Sequence, residues 1–321
     1  MRKFVAAAAL AVGMVLPGAA SVAQTYPSKP IKLVVPFGPG SATDTLGRIA
    51  AQELSQAIGQ PVVIVNKAGA DGAIGATEVQ RSAPDGYTFL FGSNSPLVVV
   101  PNLRKEPPYD TLKDFTPVTF LGDNTFFIVV HPSVPAKSLA ELIAHGKANP
   151  KKLNYASGNT FSIVGTALFA QSVGIEMEHI PYKSEPDAII DLLSGTVQLM
   201  NASVTTVLPH VKDGKLRALV TTLPQRSPLL PDVPSIVEAG QPKFPIGPWG
   251  GMVGPAGLPA DIVQRMNKEM VAVLGKPEIK EAMLKHGFVA KTSTPEEFGT
   301  YLKDQLAVWK KALDDAGIKP N

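Results

Sequence analysis

Short apolar runs alternate with segments of helical period along most of this chain. Ile31-Lys32-Leu33-Val34-Val35 is the pattern of a strand buried in a parallel sheet. Leu46, Ile49, Ala50, Leu54 and Ile58 then recur at helical spacing, and Gly59 and Pro61 stop that helix. Residues 62–65 predict the next strand, residues 74–81 a short helix, and Pro84-Asp85-Gly86 a turn into a third strand at 87–91. This βαβαβ rhythm predicts an open parallel sheet with helices on its faces.

A second cycle begins near Phe126. Residues 127–130 predict a strand, and Ser138 with Glu141 matches a capping box for the helix that follows. Further strands are predicted at 154–156, 178–180, 197–200 and 216–220, with helices near 160–173 and 186–194. Seven prolines between 224 and 248 then predict an ordered connection that is neither sheet nor long helix. Beyond it come a strand near 250–253 and helices, one from Pro259 and one opened by a capping box at Thr294 and Glu297. The expected organisation is α/β with two lobes. Residues 24–125 form the first lobe and 126–222 the second, while 223–321 return to the first lobe and end in helix. A cleft between such lobes is where ligands usually bind.

The N-terminus changes the picture. Arg2 and Lys3 precede an apolar run from Phe4 to Leu16, Pro17 and Gly18 break it, and Ser21-Val22-Ala23 fits a cleavage site. Residues 1–23 are therefore expected to be a signal peptide, and the processed chain is expected in the periplasm. Arg2 and Lys3 supply two of the formal net charge of +3, leaving about +1. No Lys/Arg face stands out, so nucleic acid is not an expected partner. The 321 residues contain no cysteine, which excludes disulfides and thiolate chemistry. His131, His145, His179, His210 and His286 show no ligand spacing, and no G-x-S-x-G elbow is present. No metal, no cofactor and no catalytic residue is expected, although a Ser/His/Asp site assembled in space would escape a reading of spacing.

The most informative loop follows the first strand: Pro36-Phe37-Gly38-Pro39-Gly40-Ser41-Ala42-Thr43-Asp44. In a parallel sheet it lies at the carboxyl edge, where ligands bind. Gly38 and Gly40 permit close backbone approach, and Ser41 with Asp44 matches S-x-x-D at a helix start. Free amides there, with the helix dipole, make a carboxylate or phosphate cradle that needs no lysine. Two decoys fail: Thr43 stands where a dinucleotide fingerprint needs its third glycine, and no P-loop motif follows. Asp44 reads first as an organiser of the loop and only second as a contact.

That loop belongs to a longer set of motifs. Tyr26-Pro27-Ser28-Lys29-Pro30-Ile31, Ala83-Pro84-Asp85-Gly86-Tyr87-Thr88, Ile180-Pro181-Tyr182-Lys183, Pro228-Leu229-Leu230-Pro231-Asp232-Val233-Pro234 and Gly254-Pro255-Ala256-Gly257-Leu258-Pro259 occur in order. In this the chain resembles the Bug family, the TctC-like periplasmic receptors of tripartite tricarboxylate transporters. The resemblance implies a two-lobe type II periplasmic-binding-protein fold that closes on a small organic acid without catalysis. It implies membrane subunits of such a transporter as partners, or a sensor kinase if the role is signalling, and a monomer. A periplasmic hydrolase on the same scaffold is the alternative of another class.

The resemblance also implies ligand contacts. From the first lobe these are Phe37, Gly38, Gly40, Ser41, Thr43 and Asp44, with Ser93 and Asn94 on the same edge. From the second they are Ser157, Asn159, Thr160, Phe161 and Ser162 at a second helix start, then Lys183 and Ser184, then Ala202 and Ser203. The second helix start is expected to hold a second acidic or polar group. Many members carry an Asp where this chain has Ala202, or Asn201 one position earlier, and its loss argues against an amino-acid ligand. Phe161 either faces the cleft, favouring an aromatic or apolar mono- or dicarboxylate, or points into the lobe core.

Overall fold

The computed structural model describes residues 26–182, 184–242, 244 and 246–320; the expected signal peptide, Lys183, Lys243, Pro245 and Asn321 lie outside the described residues. The chain opens with β1 (Ile31–Val35), α1 (Ala42–Ile58), β2 (Val62–Asn66), α2 (Ala73–Gln80) and β3 (Thr88–Ser93). A π-helical turn at Ser95–Val99 leads into two short helices, α3 (Val100–Leu103) and α4 (Thr111–Asp114), and then β4 (Phe115–Asn124). The second set runs β5 (Phe126–Val130), α5 (Leu139–Ala148), β6 (Leu153–Ser157), α6 (Thr160–Val173), β7 (Met177–Pro181), α7 (Glu185–Ser194), β8 (Leu199–Ser203), α8 (Val204–Lys212) and β9 (Arg217–Thr221). The chain ends with β10 (Trp249–Pro255), α9 (Ala260–Gly275), α10 (Pro277–Lys285), β11 (Phe288–Ala290) and α11 (Pro295–Asp315).

Two sheets result, ordered β11-β4-β10-β3-β1-β2 and β7-β6-β8-β5-β9. Within each, the βαβ strands pair in parallel: β1 with β2 and β3, β6 with β7 and β8. The strands that carry the chain between lobes pair antiparallel, β10 with β3 and β4, and β5 with β8 and β9. The chain crosses once through Thr125, the single residue between β4 and β5, and again through the proline-rich segment after β9. That segment clips to the second sheet, where the Thr221 N–H donates to the Pro234 carbonyl and the Ile236 N–H to the Thr221 carbonyl. Its Leu229, Leu230 and Val233 pack against the core of the second lobe.

The apolar faces that the periodicity marked are the cores. Leu46, Ala50 and Leu54 of α1 meet Phe89, Phe91 and the inward face of α9. Phe298, Leu302 and Trp309 of α11 cover the opposite face of the first sheet, around Trp249. That second cluster also takes in Phe126, Phe161 and Val164, so the lobes touch at their base.

The structure adds α8 and β11, which the pattern did not predict, and departs from the expectation at two further strands. The unforeseen β4 contains Pro117 and Gly122, which read as breakers; Pro117 sits opposite Val253 where the register with β10 slips. β8 begins two residues late because the Val197 N–H turns back to the Asp191 carbonyl at the end of α7. The capping box at Thr294 is complete. At Ser138 only half forms: Ser138 Oγ accepts the Glu141 N–H, while the Glu141 carboxylate accepts the N–H of Lys137.

Candidate ligand-binding cleft

A cleft of about 480 Å³ separates the carboxyl edges of the two sheets. On the first-lobe side it is bordered by Phe37, Ser41, Ala42 and Thr43. Ser41 is the N-cap of α1: its Oγ accepts the Asp44 N–H at 3.2 Å and its carbonyl the Thr45 N–H at 2.9 Å. A helix start leaves four N–H groups without intrahelical partners. Here those are the N–H groups of residues 41–44; Asp44 is capped and the Ser41 N–H donates to the Gly38 carbonyl at 3.2 Å, so the amides of Ala42 and Thr43 are the ones left at the cleft.

Asp44 holds this loop in shape from behind. It is 2% exposed and does not border the cleft. Its Oδ2 accepts the Gly40 N–H at 2.8 Å and Arg48 Nε at 3.0 Å, and its Oδ1 accepts Asn66 Nδ2 at 2.8 Å. Burial pushes its pKa up, but the hydrogen bonds from Arg48, Gly40 and Asn66 together outweigh burial and hold it below the ordinary value of 3.8. Gly40 adopts φ +80°, which explains a glycine there, whereas an added Cβ at Gly38 or Gly40 would meet nothing within 4 Å. Neither glycine borders the cleft; Ser93 and Asn94, at the end of β3, do.

On the second-lobe side, the parallel strands β6, β7 and β8 each run into a helix whose start borders the cleft. Asn159 caps α6 by accepting the Ser162 N–H at 2.8 Å, and its carbonyl takes the Ile163 N–H, leaving the amides of Thr160 and Phe161. Asn159, Thr160, Phe161, Ser184 and Ser203 line the cleft. Ser157, Ser162 and Ala202 are buried behind it. Ser157 Oγ sits 2.6 Å from His179 Nε2, Ser162 Oγ donates to the Asn201 carbonyl, and Ala202 packs with Phe127 and Val204. His179 stacks on Tyr155 and burial lowers its pKa; neither Ser157 nor His179 borders the cleft. Lys183 lies outside the described residues.

Phe161 belongs to both of the places open to it. Its ring is 4% exposed and packs edge-to-face on Phe126, centroids 4.9 Å apart, in the cluster where the lobes touch. Both residues also border the base of the cleft.

The model for "Tripartite tricarboxylate transporter family receptor" matches residues 46–318, nearly the whole described chain. The chain belongs to this receptor family. Protein BugT of Bordetella pertussis is 36% identical over 301 residues, covering 92% of each chain. Among solved structures, Rpa4515 of R. palustris with adipate superposes with a TM-score of 0.82 at 31% identity, covering 92% of this chain and all of that one. MatC of Rhodopseudomonas palustris with bound malate gives 0.76 at 28%, covering 90% of this chain and all of that one. The two-lobe α/β architecture is that of periplasmic binding proteins.

Several cleft residues of this receptor escaped the sequence reading. Thr125, at the crossing, is buried and its Oγ1 has no partner. Its N–H donates to the Gly287 carbonyl and its carbonyl accepts from Val204, so the crossing is pinned from both sides. Gly158 approaches the backbone of Ser184 and Glu185 so closely that an added Cβ would lie 2.2 Å from Glu185 N. Glu185, Thr205, His286, Gly287 and Asp71 also border the cleft. Glu185 directly follows a residue named from the resemblance, but only the fold shows that its side chain turns back across two other loops. Among the described residues no Lys or Arg borders the cleft.

Proposed function

We propose that this receptor captures a small organic carboxylate outside the cytoplasm and delivers it to the membrane subunits of a tripartite transporter, without chemical change. The observation that carries the reading is the start of α1. Two amides with no protein partner, Ala42 and Thr43, lie at the positive end of a 17-residue helix, in a cleft whose described lining holds no Lys or Arg. Ser41, Thr43, Ser93 and Asn94 surround the carboxylate on this side. Asn159, Thr160, Ser184, Ser203 and Thr125 close on the rest of the ligand from the other. Phe37, Phe126 and Phe161 supply apolar surface, which suits an acid with an apolar body. The signal-peptide pattern of residues 1–23, with Gln24 as the expected first residue of the processed chain, supports a periplasmic site of action.

The test is a thermal-shift screen of the processed chain against aliphatic and aromatic mono-, di- and tricarboxylates, followed by calorimetry. A ligand at a hundred times its Kd stabilises the native state by about 2.7 kcal/mol and raises the melting temperature visibly. If no acid in the screen shifts the melting temperature, or if one is turned over, the reading falls.

A further inference from the structure

The second-lobe wall of the cleft carries an acid of its own. Glu185 opens α7, and its carboxylate is wrapped by donors from two neighbouring loops. Oε1 accepts Asn159 Nδ2 at 2.7 Å and the Ser203 N–H at 3.3 Å. Oε2 accepts Ser203 Oγ at 2.5 Å and Thr206 Oγ1 at 2.5 Å. An ionised carboxylate offers about four lone-pair sites, so these four donors fill it. No ion pair involves Glu185 among the described residues, which do not include Lys183.

Asn159 and Ser203 border the cleft, and their donors would otherwise serve a ligand anion at that end. The protein's own carboxylate already has them. A second ionised carboxylate of a ligand would find these donors spent, with only the Thr160 and Phe161 amides still open on this wall, and would meet a like charge a few ångströms away. At an effective dielectric near 20, repulsion at such a distance is worth on the order of a hundredfold to a thousandfold in affinity before solvent screening. A neutral or cationic group fits instead.

We infer that Glu185 is a specificity-determining residue that bars a second ionised carboxylate from the second-lobe end of the cleft, so that the ligand carries one carboxylate and a neutral or cationic far end. This rests on the receptor reading above, and it separates this chain from the relatives whose structures hold the dicarboxylates adipate and malate. It also replaces the expectation drawn from Ala202: an acid does face the ligand, from α7 rather than from β8.

Calorimetry with matched acids of four to eight carbons tests it: the dicarboxylate, its monomethyl ester, the monocarboxylate and the ω-amino acid at each length. The wild-type chain binds the best ester, monocarboxylate or amino acid at least tenfold more tightly than the dicarboxylate of the same length. Glu185→Gln narrows that gap tenfold or more, while Thr206→Val, which removes a donor and no charge, leaves it. The ester comparison needs no variant, so a Glu185→Gln protein that fails to fold leaves the test intact. A wild-type preference for dicarboxylates, or a gap unchanged in folded Glu185→Gln, overturns the inference and leaves the receptor reading standing. Binding of no acid of any class overturns both.

Discussion

Replacing Asp44 by alanine tests whether the first-lobe cradle is held by a buried anion behind it. Three donors lose their acceptor: the Gly40 N–H, Arg48 Nε and Asn66 Nδ2. A hydrogen bond to a charged group contributes about 1.5–3 kcal/mol, so a simple sum would be large. Two of the three are discounted. The Arg48 side chain is 55% exposed and regains water, and Asn66 Nδ2 keeps the Phe37 carbonyl at 3.0 Å. A loss of about 2–3 kcal/mol at pH 7 remains, read from urea unfolding of the processed chain without ligand. The same variant should bind its acid at least tenfold more weakly, because Ser41 and the Ala42 and Thr43 amides are no longer fixed. The pH dependence gives a second readout. The folded pKa of Asp44 is depressed, so its contribution is fully present above the ordinary value of 3.8 and disappears as pH falls through the lower folded value. Wild type and Asp44→Ala should therefore converge in stability below that value. A difference under about 0.5 kcal/mol at pH 7, or one that persists unchanged in strong acid, would refute the account.

Other perturbations separate the roles of neighbouring residues. Gly158→Ala forces the Ser184–Glu185 backbone away from a Cβ 2.2 Å distant, and should cost about 1–3 kcal/mol and weaken binding; calorimetry and urea unfolding read both. Gly40→Ala places a side chain at φ +80° in open space, so a stability loss of about 1–2 kcal/mol should come from backbone strain alone, and Gly40→Asn should recover part of it. Phe161→Ala empties the lobe contact and should cost about 3–5 kcal/mol in unfolding experiments, whereas Phe161→Leu should retain most of that stability while changing affinity for acids with an apolar body.

The fold was readable where periodicity and punctuation agreed. β1 and α1 follow from the apolar run at 31–35, the spacing of Leu46, Ala50 and Leu54, and the stop at Gly59, which takes the left-handed conformation that ends the helix. β4 was not readable, because Pro117 and Gly122 signal a break locally and only the slipped pairing with β10 makes room for them. In the cleft, the residues that could be named lie at the end of a strand or in the loop and first helical turn that follow it, where sequence position sets direction. Glu185, Thr125 and Gly287 could not be named, since their relation to the cleft depends on how separate loops meet. The motifs that carried the resemblance point to backbone shape, and side chains reaching across loops leave no local pattern to find.

Two carboxylates organise the cleft of a protein proposed to bind a carboxylate. Asp44 and Glu185 both lie in the first turn of a helix, both fold back, and both collect donors from the preceding or neighbouring loops. The helix dipole favours each of them there. Their consequences differ because of where they sit. Asp44 is behind the loop and ion-paired with Arg48, so its charge is largely neutralised before it reaches the cleft, and it shapes amides that remain free. Glu185 borders the cleft and spends donors that a ligand would need. Both lobes present bare amides, at the starts of α1 and α6, but only the second lobe sets a filled carboxylate beside them, and on the proposal above that asymmetry would turn an acid's carboxylate toward α1.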